Sequence, residues 1–477
     1  MLARSVAENL SGGFAGAKSR ASQSRTFATK FRGLATWSEQ RLALDRSLKA
    51  QSRSAMTTLA QRDYFTDHAI LVDPYSYFEA VREGGPVQRR SDGIVVVTGF
   101  EESLEVLRNT ADFSSANAPQ GPNVPLAFEP DGDDITAQIE AHRGTFYGGT
   151  HLVAYDDDQH TFSRSLINRL FTPSRLKANE RFIAEFADEL ARDAVARGGC
   201  DLIGDIATPF VTLVIADLLG VPAEDRSIFM EAIKSGPPPG SLDPEDLKLR
   251  GQSLVIMGRY FAEYVAGRRA APRDDILSEL AAATFPDGSL PEVAEIVRLA
   301  TFLFGAGQDT SAKLLGNTMR YLVERPELQQ AMRDDPAQIP DLIEEVLRLE
   351  GSSKMTARLV RRKTMIAGLE VRPGDRIFVA LAAANRDPRR WERPDALVLG
   401  RPKVKEHVAF GRGAHVCAGA PLARVEVRMI LERFLAHTRQ IELDEAVHGP
   451  RGNHRLDYEP SFLIRGLSRL QLKLTTK

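Results

Sequence analysis

The sequence predicts a mainly α-helical protein with a minor β region. Helical periodicity covers most of residues 159–350, whereas strand-like runs of β-branched residues are short and few. The composition of the 477 residues, 43% hydrophobic and 26% charged, is typical of a packed globular protein. Because no repeat or linker interrupts the chain after Met56, we expect a single domain over residues 56–477.

The charge balance and the two cysteines exclude several classes of protein. The 62 Lys and Arg residues nearly balance the 64 Asp and Glu residues, so no global field favours nucleic acid. Cys200 and Cys417 are too few for a disulfide framework, which favours a reducing compartment. The apolar run from Ile377 to Ala384 is much shorter than the roughly 20 residues of a membrane-spanning helix. We therefore expect no transmembrane anchor and a cytoplasmic location.

Residues 1–55 differ from the remainder in composition. They contain ten Lys or Arg residues, three acidic residues and nine serines, a composition that resembles an organelle transit peptide. A disordered extension, or upstream sequence ahead of a true start at Met56, explains the same composition. A transit peptide would place the protein in an organelle matrix.

The elements follow in order from residue 64. A short helix from Tyr75 to Glu83 and a strand from Ile94 to Val97 precede residues 113–147, which are rich in Gly, Pro, Asn and Asp. A stretch of that length without clear periodicity predicts a lid over a pocket. The helical region after it is interrupted by Gly-Pro-Pro-Pro-Gly, which no helix can cross. Two strand patterns then follow, from Val360 to Glu370 and from Arg376 to Leu381.

A cysteine between glycines is the sharpest feature of the chain. Residues 410–419 read Phe-Gly-Arg-Gly-Ala-His-Val-Cys-Ala-Gly and lead into a predicted helix from Ala420 to Leu435. Glycines let backbone N–H groups approach a sulfur, and a helix N-terminus stabilises a thiolate. The pattern predicts a metal-bound or reactive thiolate at Cys417. The alternative is a buried free cysteine.

Polar residues interrupt a long apolar helix predicted from about Glu292 to Val323. The helix contains Ala306-Gly307-Gln308-Asp309-Thr310-Ser311. An acid beside a hydroxyl can relay protons, and the small Ala306 and Gly307 leave room for a flat ligand. Ordinary helix polarity is the alternative interpretation.

The cysteine segment matches the pattern F-G-x-G-x-H-x-C-x-G at every fixed position. In this it resembles the cysteine loop of the cytochrome P450 family of haem-thiolate monooxygenases. The resemblance implies the P450 fold, with haem b (iron protoporphyrin IX) between the long distal helix and the proximal helix after the loop. It implies that Cys417 is the iron ligand, that Phe410, Gly411 and Gly419 belong to the haem-binding loop, and that His415 bonds a haem propionate. A thiolate ligand favours O–O cleavage.

The resemblance extends to the long helix and to a pair four residues apart. Asp309 and Thr310 correspond to the family's acid-alcohol pair, which delivers protons to dioxygen, with Ala306 and Gly307 against the haem. The remaining propionate-binding residues by resemblance are His160 and Arg164 of an H-x-x-x-R pair, and Arg358 in the strand after the E-x-x-R helix.

Glu345 and Arg348 match the family's E-x-x-R pair, which is structural. The family completes this pair with a later arginine, but Ala396 stands where many relatives carry it. Arg386 and Arg401 both remain candidates for the third member.

The implied reaction inserts one atom of O2 into a substrate. Because no G-x-G-x-x-G opens a βαβ unit, electrons must come from a partner, for which we expect a ferredoxin with its reductase. Arg401, Lys403, Lys405 and Arg412 form a basic stretch that could dock an acidic ferredoxin or simply be solvated.

The expected substrate is hydrophobic: a terpenoid, steroid, fatty acid or aromatic compound. Phe302, Leu303 and Phe304, with a turn at residues 461–463, make the expected pocket largely apolar. Lys354, at a position usually apolar in relatives, is expected either in solvent or against a substrate carboxylate. The alternative functions are a peroxide-driven haem-thiolate enzyme and a non-catalytic haem-binding protein. Both are disfavoured by the Asp309–Thr310 pair.

Overall fold

Helices form most of the fold in the computed structural model, which describes residues 56–234 and 244–477. The labelled helices are α1 (His68–Val72), α2 (Tyr75–Glu83), α3 (Phe100–Arg108), α4 (Thr136–Ala141), α5 (Asp157–Asn168), α6 (Pro173–Ala196), α7 (Thr208–Leu218), α8 (Arg226–Lys234), α9 (Pro244–Ala270), α10 (Ile276–Ala282), α11 (Val293–Glu324), α12 (Pro326–Asp334), α13 (Ile339–Glu350), α14 (Leu381–Ala384), α15 (Ala420–His437) and α16 (Glu445–His448). The predicted mainly helical class is confirmed.

The strands are β1 (Val87–Arg89), β2 (Val95–Val97), β3 (Phe113–Ser114), β4 (Gly199–Asp201), β5 (Thr356–Val360), β6 (Thr364–Ile366), β7 (Leu369–Val371), β8 (Arg376–Val379), β9 (Thr438–Leu443) and β10 (Gln471–Thr476). In the described part of the chain they pair as a five-stranded sheet in the order β1-β2-β8-β5-β3, a three-stranded sheet in the order β4-β10-β9, and the hairpin β6-β7. Strands β2 and β8 run parallel, with Val96 opposite Phe378, and β5 is antiparallel to β8. The chain therefore places its early and late strands side by side.

The predicted elements agree with the observed ones in part. The helix Tyr75–Glu83 is observed as predicted. The strand predicted from Val360 to Glu370 is instead the end of β5 and the β6-β7 hairpin, because Ala367 and Gly368 turn the chain with φ of 47° and 85°. Residues 113–147 contain β3 and α4, so the predicted lid has local structure of its own. The predicted break at residues 236–240 lies outside the described residues.

Helix α11 is the axis of the helical layer. Its buried residues pack in one core with side chains of α7, α9, α13 and α15. Glycine lets α11 pack closely against Ile203, since a Cβ on Gly316 would lie 2.6 Å from Ile203 Cδ1. The long helix thus contacts both α7 and α15, the helix that follows the cysteine loop.

Residues 60–477 make one compact unit. The predicted extension over residues 1–55 lies outside the described residues. None of the helices that the structure describes is long and apolar enough to cross a membrane.

Candidate active site

The cysteine loop is shaped by glycines in left-handed backbone conformations. Gly411 and Gly413 have φ of 69° and 75°, a region that side chains disfavour. A Cβ on Gly413 would lie 2.5 Å from the carbonyl oxygen of Leu107, at the end of α3. The Cys417 N–H donates to the Phe410 carbonyl at 2.9 Å. The glycine spacing therefore closes a tight loop directly before α15.

The two cysteines of the chain differ in their exposure to solvent. Cys417 is accessible to solvent, whereas Cys200 is buried. Although Cys417 is accessible, the protein atoms around its sulfur partly desolvate it and raise the pKa of Cys417, against the lowering effects of the Gly419 N–H, Arg164 and the Ala420 N–H. Two N–H groups and a guanidinium thus stabilise a thiolate, but not enough to offset desolvation. A cationic ligand at the sulfur would supply the remaining stabilisation of the thiolate.

An aromatic and ionic cluster supports the proximal side of this loop. The Arg424 guanidinium lies 4.8 Å from the centre of the Phe410 ring and pairs with Glu344. His407 Nε2 lies 3.3 Å from a Glu344 oxygen. Because these groups come from α13, the loop and α15, their contacts fix the loop against the E-x-x-R helix.

The distal helix presents small residues to the same region of the fold. Gly305 and Ala306 are exposed in the middle of α11, although Phe304 and Gln308 beside them are buried. These two small residues therefore leave open space beside the middle of a helix that is otherwise largely buried. A Cβ on Gly307 would lie 2.8 Å from Ile215 Cδ1 of α7, so this glycine also allows close helix packing.

The acid-alcohol pair lies one turn further along α11. The Thr310 hydroxyl donates to the carbonyl oxygens of Ala306 at 3.0 Å and Gly307 at 3.3 Å. Ser352 donates to the Thr310 carbonyl at 2.6 Å. Both Asp309 and Thr310 are half-buried. The hydroxyl is therefore held on the helix backbone next to the exposed Ala306.

Sequence reasoning missed Glu426 of α15, a buried carboxyl group close to this pair. Its Oε1 is a buried atom without a hydrogen-bond partner, and Ser311 bonds the carboxyl group. Burial raises the pKa of Glu426 to about 8, so the group is largely protonated at neutral pH. The signal in the sequence is an acid between Val425 and Val427 on an apolar helix.

His160 and His415, from distant parts of the sequence, meet at this site. Their ring centres are 4.1 Å apart, and His160 Nε2 and Arg358 Nε are buried atoms without a hydrogen-bond partner. Burial lowers the pKa of His415 to about 2, with the positive charge of Arg358 acting in the same direction. Burial likewise lowers the pKa of Arg358 to about 10. Burial thus disfavours the positively charged forms of His415 and Arg358. An anionic ligand bound beside them would stabilise those charged forms.

Arg164 lies on the same helix as His160 but is oriented by another contact. Its Nε donates to Asn168 Oδ1 at 3.0 Å, and its charge acts on Cys417. Asp156, missed in the sequence, tethers this helix: it accepts bonds from Ser114 Oγ at 2.5 Å and Ser115 N at 2.9 Å. Residues 113–115 are thereby joined to the start of α5.

The E-x-x-R pair is completed by Arg401. Arg348 bonds both oxygens of Glu345, at 2.8 and 2.9 Å. Arg401 Nε lies 2.9 and 3.1 Å from the same two oxygens, and the Val398 N–H donates to Oε1 at 2.9 Å. All three charged side chains are buried. Arg401 is therefore not part of an exposed docking surface, contrary to the prediction that includes it there.

Arg386, the other candidate, belongs to a second cluster. It bonds Glu350 at 3.3 Å and Asp395 at 3.1 Å, and its guanidinium lies 3.5 Å from the centre of the Tyr75 ring. Glu350 also bonds Arg465 at 2.8 Å. This cluster joins α2, the end of α13 and the C-terminal region.

Two pocket expectations are also corrected. Lys354 is 0% exposed, so the expected location in solvent is wrong; its ammonium group donates to the carbonyl oxygens of Leu71, at 2.8 Å, and Ser461. Phe304 is buried against Phe229, with ring centres 5.3 Å apart, so it faces the core. Phe302 is only partly buried and stacks on His151 at 5.8 Å.

Comparison with known proteins agrees with this geometry. The sequence pattern of the family described as Cytochrome P450 matches residues 263–446. Cytochrome P450 144 of Mycobacterium tuberculosis is 31% identical over 442 residues, which are 90% of this chain and 95% of that protein. The chain belongs to the cytochrome P450 family, whose members are oxidoreductases of the monooxygenase type.

Two other similar proteins add detail. The substrate-free structure of Mycobacterium marinum cytochrome P450 CYP150A6 is 44% identical, with a TM-score of 0.82 over 88% of this chain and 99% of that one. Vitamin D(3) 25-hydroxylase of Pseudonocardia autotrophica is 33% identical over 327 residues, 68% of this chain and 77% of that protein. The predicted P450 fold is confirmed.

The residues present fit the haem that the family implies. An accessible thiol lies at the start of α15, and small residues are exposed at the centre of α11. The Arg358 Nε donor and the His160 Nε2 atom have no hydrogen-bond partner, so both are available to bind propionate carboxylates. In the described residues, no group of three or more His, Cys, Asp or Glu could hold a metal.

Proposed function

We propose that this protein is a haem-thiolate monooxygenase that binds haem b through Cys417. The observation that carries the proposal is an accessible thiol supported by the Gly419 and Ala420 N–H groups in a P450 fold. When bound, the haem supplies dioxygen activation and oxygen transfer, which side chains alone do not perform. The net reaction consumes O2, two electrons and two protons, and yields a hydroxylated substrate and water.

Four residues are proposed to hold the propionates: His160, Arg164, Arg358 and His415. The contact between the two imidazoles and the unpartnered atoms of His160 and Arg358 support this role. A buried guanidinium and neutral imidazoles supply hydrogen bonds and charge to two carboxylates that would otherwise be poorly compensated.

Asp309 and Thr310 are proposed to deliver the two protons. Thr310 keeps its hydroxyl on the α11 backbone, where its oxygen can accept a proton from one side and donate one to the other. Ala306 and Gly305 leave the space beside it open. Protons would therefore reach the reacting oxygen through the hydroxyl rather than through bulk water.

Replacing Thr310 with alanine tests this proton path. We expect Thr310→Ala to form product about 10 to 100 times more slowly, because a positioned proton donor contributes on the order of 10² to 10⁴ in rate. Reductant consumption should continue, with electrons diverted to peroxide. Thr310→Ser, which keeps the hydroxyl, is the control. Equal ratios of product to reductant consumed in the wild type and Thr310→Ala would refute the assignment.

The proposed substrate is a hydrophobic small molecule of the terpenoid, steroid, fatty acid or aromatic class. The partly buried Phe302 and Leu303 of α11 support an apolar pocket. A relative named vitamin D(3) 25-hydroxylase covers 68% of this chain and is consistent with that class.

Electrons are proposed to come from an acidic ferredoxin docked beside the cysteine loop. Lys403, Lys405 and Arg108 are exposed there, and Arg412 donates to the Lys405 carbonyl at 2.8 Å. Burial and the neighbouring charge of Arg108 lower the pKa of Arg412. This concentration of positive charge favours a negatively charged partner.

Charge reversal at Arg412 tests the docking surface. With an acidic surrogate ferredoxin, Arg412→Glu should slow transfer of the first electron about tenfold at low ionic strength, and added salt should reduce the difference. Arg439→Glu is the control, since Arg439 is exposed beyond the far end of the 18-residue α15. Equal stopped-flow reduction rates for wild type and Arg412→Glu would remove this surface from the proposal. The carbon monoxide spectrum of each variant checks that the loop is intact.

The decisive test of the function is spectroscopic. The haem-loaded full chain is reduced, carbon monoxide is added, and a strongly red-shifted Soret band is expected from thiolate ligation. Turnover of a panel of hydrophobic compounds should then require both reductant and O2. Turnover with peroxide alone would favour the peroxide-driven alternative, and a thiolate band without any turnover would favour a non-catalytic haem protein.

A further inference from the structure

Lys354 lies at the junction of three parts of the chain. It follows α13 and precedes β5, and its side chain is 0% exposed. The ammonium donates to the Leu71 carbonyl at 2.8 Å and to the Ser461 carbonyl. The Lys354 backbone N–H donates to the Leu463 carbonyl at 2.8 Å. One residue therefore joins α1 to the turn at residues 461–463.

Each of the three carbonyl groups in the turn at residues 461–463 accepts a hydrogen bond. Ser461 and Leu463 accept from Lys354, and Phe462 between them accepts from the Tyr64 hydroxyl at 2.8 Å. The Ser461 hydroxyl accepts from the N–H groups of Leu463 at 3.2 Å and Ile464 at 3.0 Å. Because every one of these bonds is specific in direction, the turn is held in a single conformation.

The ammonium is held by carbonyl dipoles rather than by a carboxylate. Burial lowers the pKa of Lys354 to about 7; the charge of Arg465 acts in the same direction and that of Asp73 opposes it. A buried cation without an ion-pair partner destabilises the fold relative to an apolar side chain of similar length. The contribution of Lys354 is therefore better explained by placement of the turn than by net stability.

The turn presents Phe462 to the predicted lid. The Phe462 ring centre is 5.7 Å from that of Phe65, and a Cβ added to Gly121 would lie 3.0 Å from Phe462 Cε2. Gly121 has φ of 84° and belongs to residues 113–147. Leu463, the next residue, is only partly buried. A shift of the turn would therefore move both an aromatic side chain packed against the lid and an accessible aliphatic one.

We infer that Lys354, assisted by Tyr64, is a positioning residue that determines which hydrophobic ligands the pocket accepts, by holding the turn at residues 461–463. The inference rests on the proposed function for its ligand class. Lys354 acts through Phe462 and Leu463, because its own ammonium group is bound by the backbone carbonyls of Leu71 and Ser461.

The experiment compares Lys354→Met and Tyr64→Phe with a matched control, Lys363→Met, in which a lysine 56% exposed in its side chain is replaced. The probes are imidazole and 4-phenylimidazole, titrated into the haem-loaded full chain by absorbance. Both are expected to bind the haem iron through a nitrogen, and only 4-phenylimidazole carries a phenyl group that extends beyond that nitrogen-bearing ring. We expect Lys354→Met to change the dissociation constant of 4-phenylimidazole about tenfold and that of imidazole less than about twofold.

A second readout does not depend on haem. Amide hydrogens of residues 463–465 should exchange at least about tenfold faster in Lys354→Met than in wild type or Lys363→Met. Tyr64→Phe should shift both readouts in the same direction, and the double variant should be less than additive because both residues hold one turn. If Lys354→Met fails to fold, Tyr64→Phe carries the test alone.

The two proposals fail in different ways. A wild-type protein that loads haem without a thiolate band would overturn the proposed function, while the exchange measurement would still report on the turn. Unchanged 4-phenylimidazole affinity and unchanged exchange in the folded Lys354 and Tyr64 variants would overturn the positioning role. A change of equal size for both imidazoles would overturn it too, because a pocket-specific effect spares the smaller probe.

Discussion

Cys417→Ser is expected to abolish the red-shifted carbon monoxide band and to reduce monooxygenase turnover by about 10³-fold or more, the scale of losing a residue on which the reaction depends. Serine has nearly the shape of cysteine, so the loop should still close through the bond from residue 417 to the Phe410 carbonyl. It lacks the thiolate that, in the proposed function, would donate electron density to a bound haem iron. The measurements are the absorbance spectrum of the reduced carbonyl complex and the rate of product formation.

The matched control is Cys200→Ala. Cys200 is buried, and burial raises the pKa of its thiol to about 12, so it remains an unreactive thiol. This variant should keep both the band and the turnover. A band that survives in Cys417→Ser, or disappears in Cys200→Ala, would mean that the ligand had been assigned to the wrong cysteine.

Glu345→Ala is expected to destabilise the fold by about 3 to 5 kcal/mol, because it leaves Arg348 and Arg401 as buried cations without their shared carboxylate. The carboxylate accepts two bonds from Arg348, at 2.8 and 2.9 Å, and one from the Val398 N–H at 2.9 Å. A change of that size is a large fraction of the roughly 5 to 15 kcal/mol that stabilises a typical domain. Denaturant titration followed by circular dichroism measures it.

Glu185→Ala is the control for this prediction. Glu185 is 71% exposed and lies 3.6 Å from Arg181, and such surface pairs contribute about 0 to 1 kcal/mol. Its denaturation midpoint should stay close to that of the wild type. A Glu345→Ala midpoint equally close to the wild type would show that the buried network contributes nothing measurable to stability.

The features predicted most accurately depend on residues close together in the sequence. The spacing of Gly411, Gly413 and Cys417 predicts a tight loop at a helix start, because the left-handed φ values are a local property of glycine. The helix predicted from about Glu292 to Val323 is observed as Val293–Glu324, since its period is carried by neighbouring turns. The β6-β7 hairpin was missed because its turn contains Ala367, with φ of 47°, which is unusual for alanine.

The family, the mainly helical class and the cysteine loop could therefore be predicted from the amino-acid sequence. Three contacts could not: Arg401 rather than Arg386 completes the pair at Glu345, Lys354 is buried, and Gly307 packs on Ile215. These contacts depend on the reach of long side chains and on how closely helices pack. Arg401 is 56 residues from Glu345 in sequence, and a guanidinium bonds whichever carboxylate the fold brings within about 3 Å.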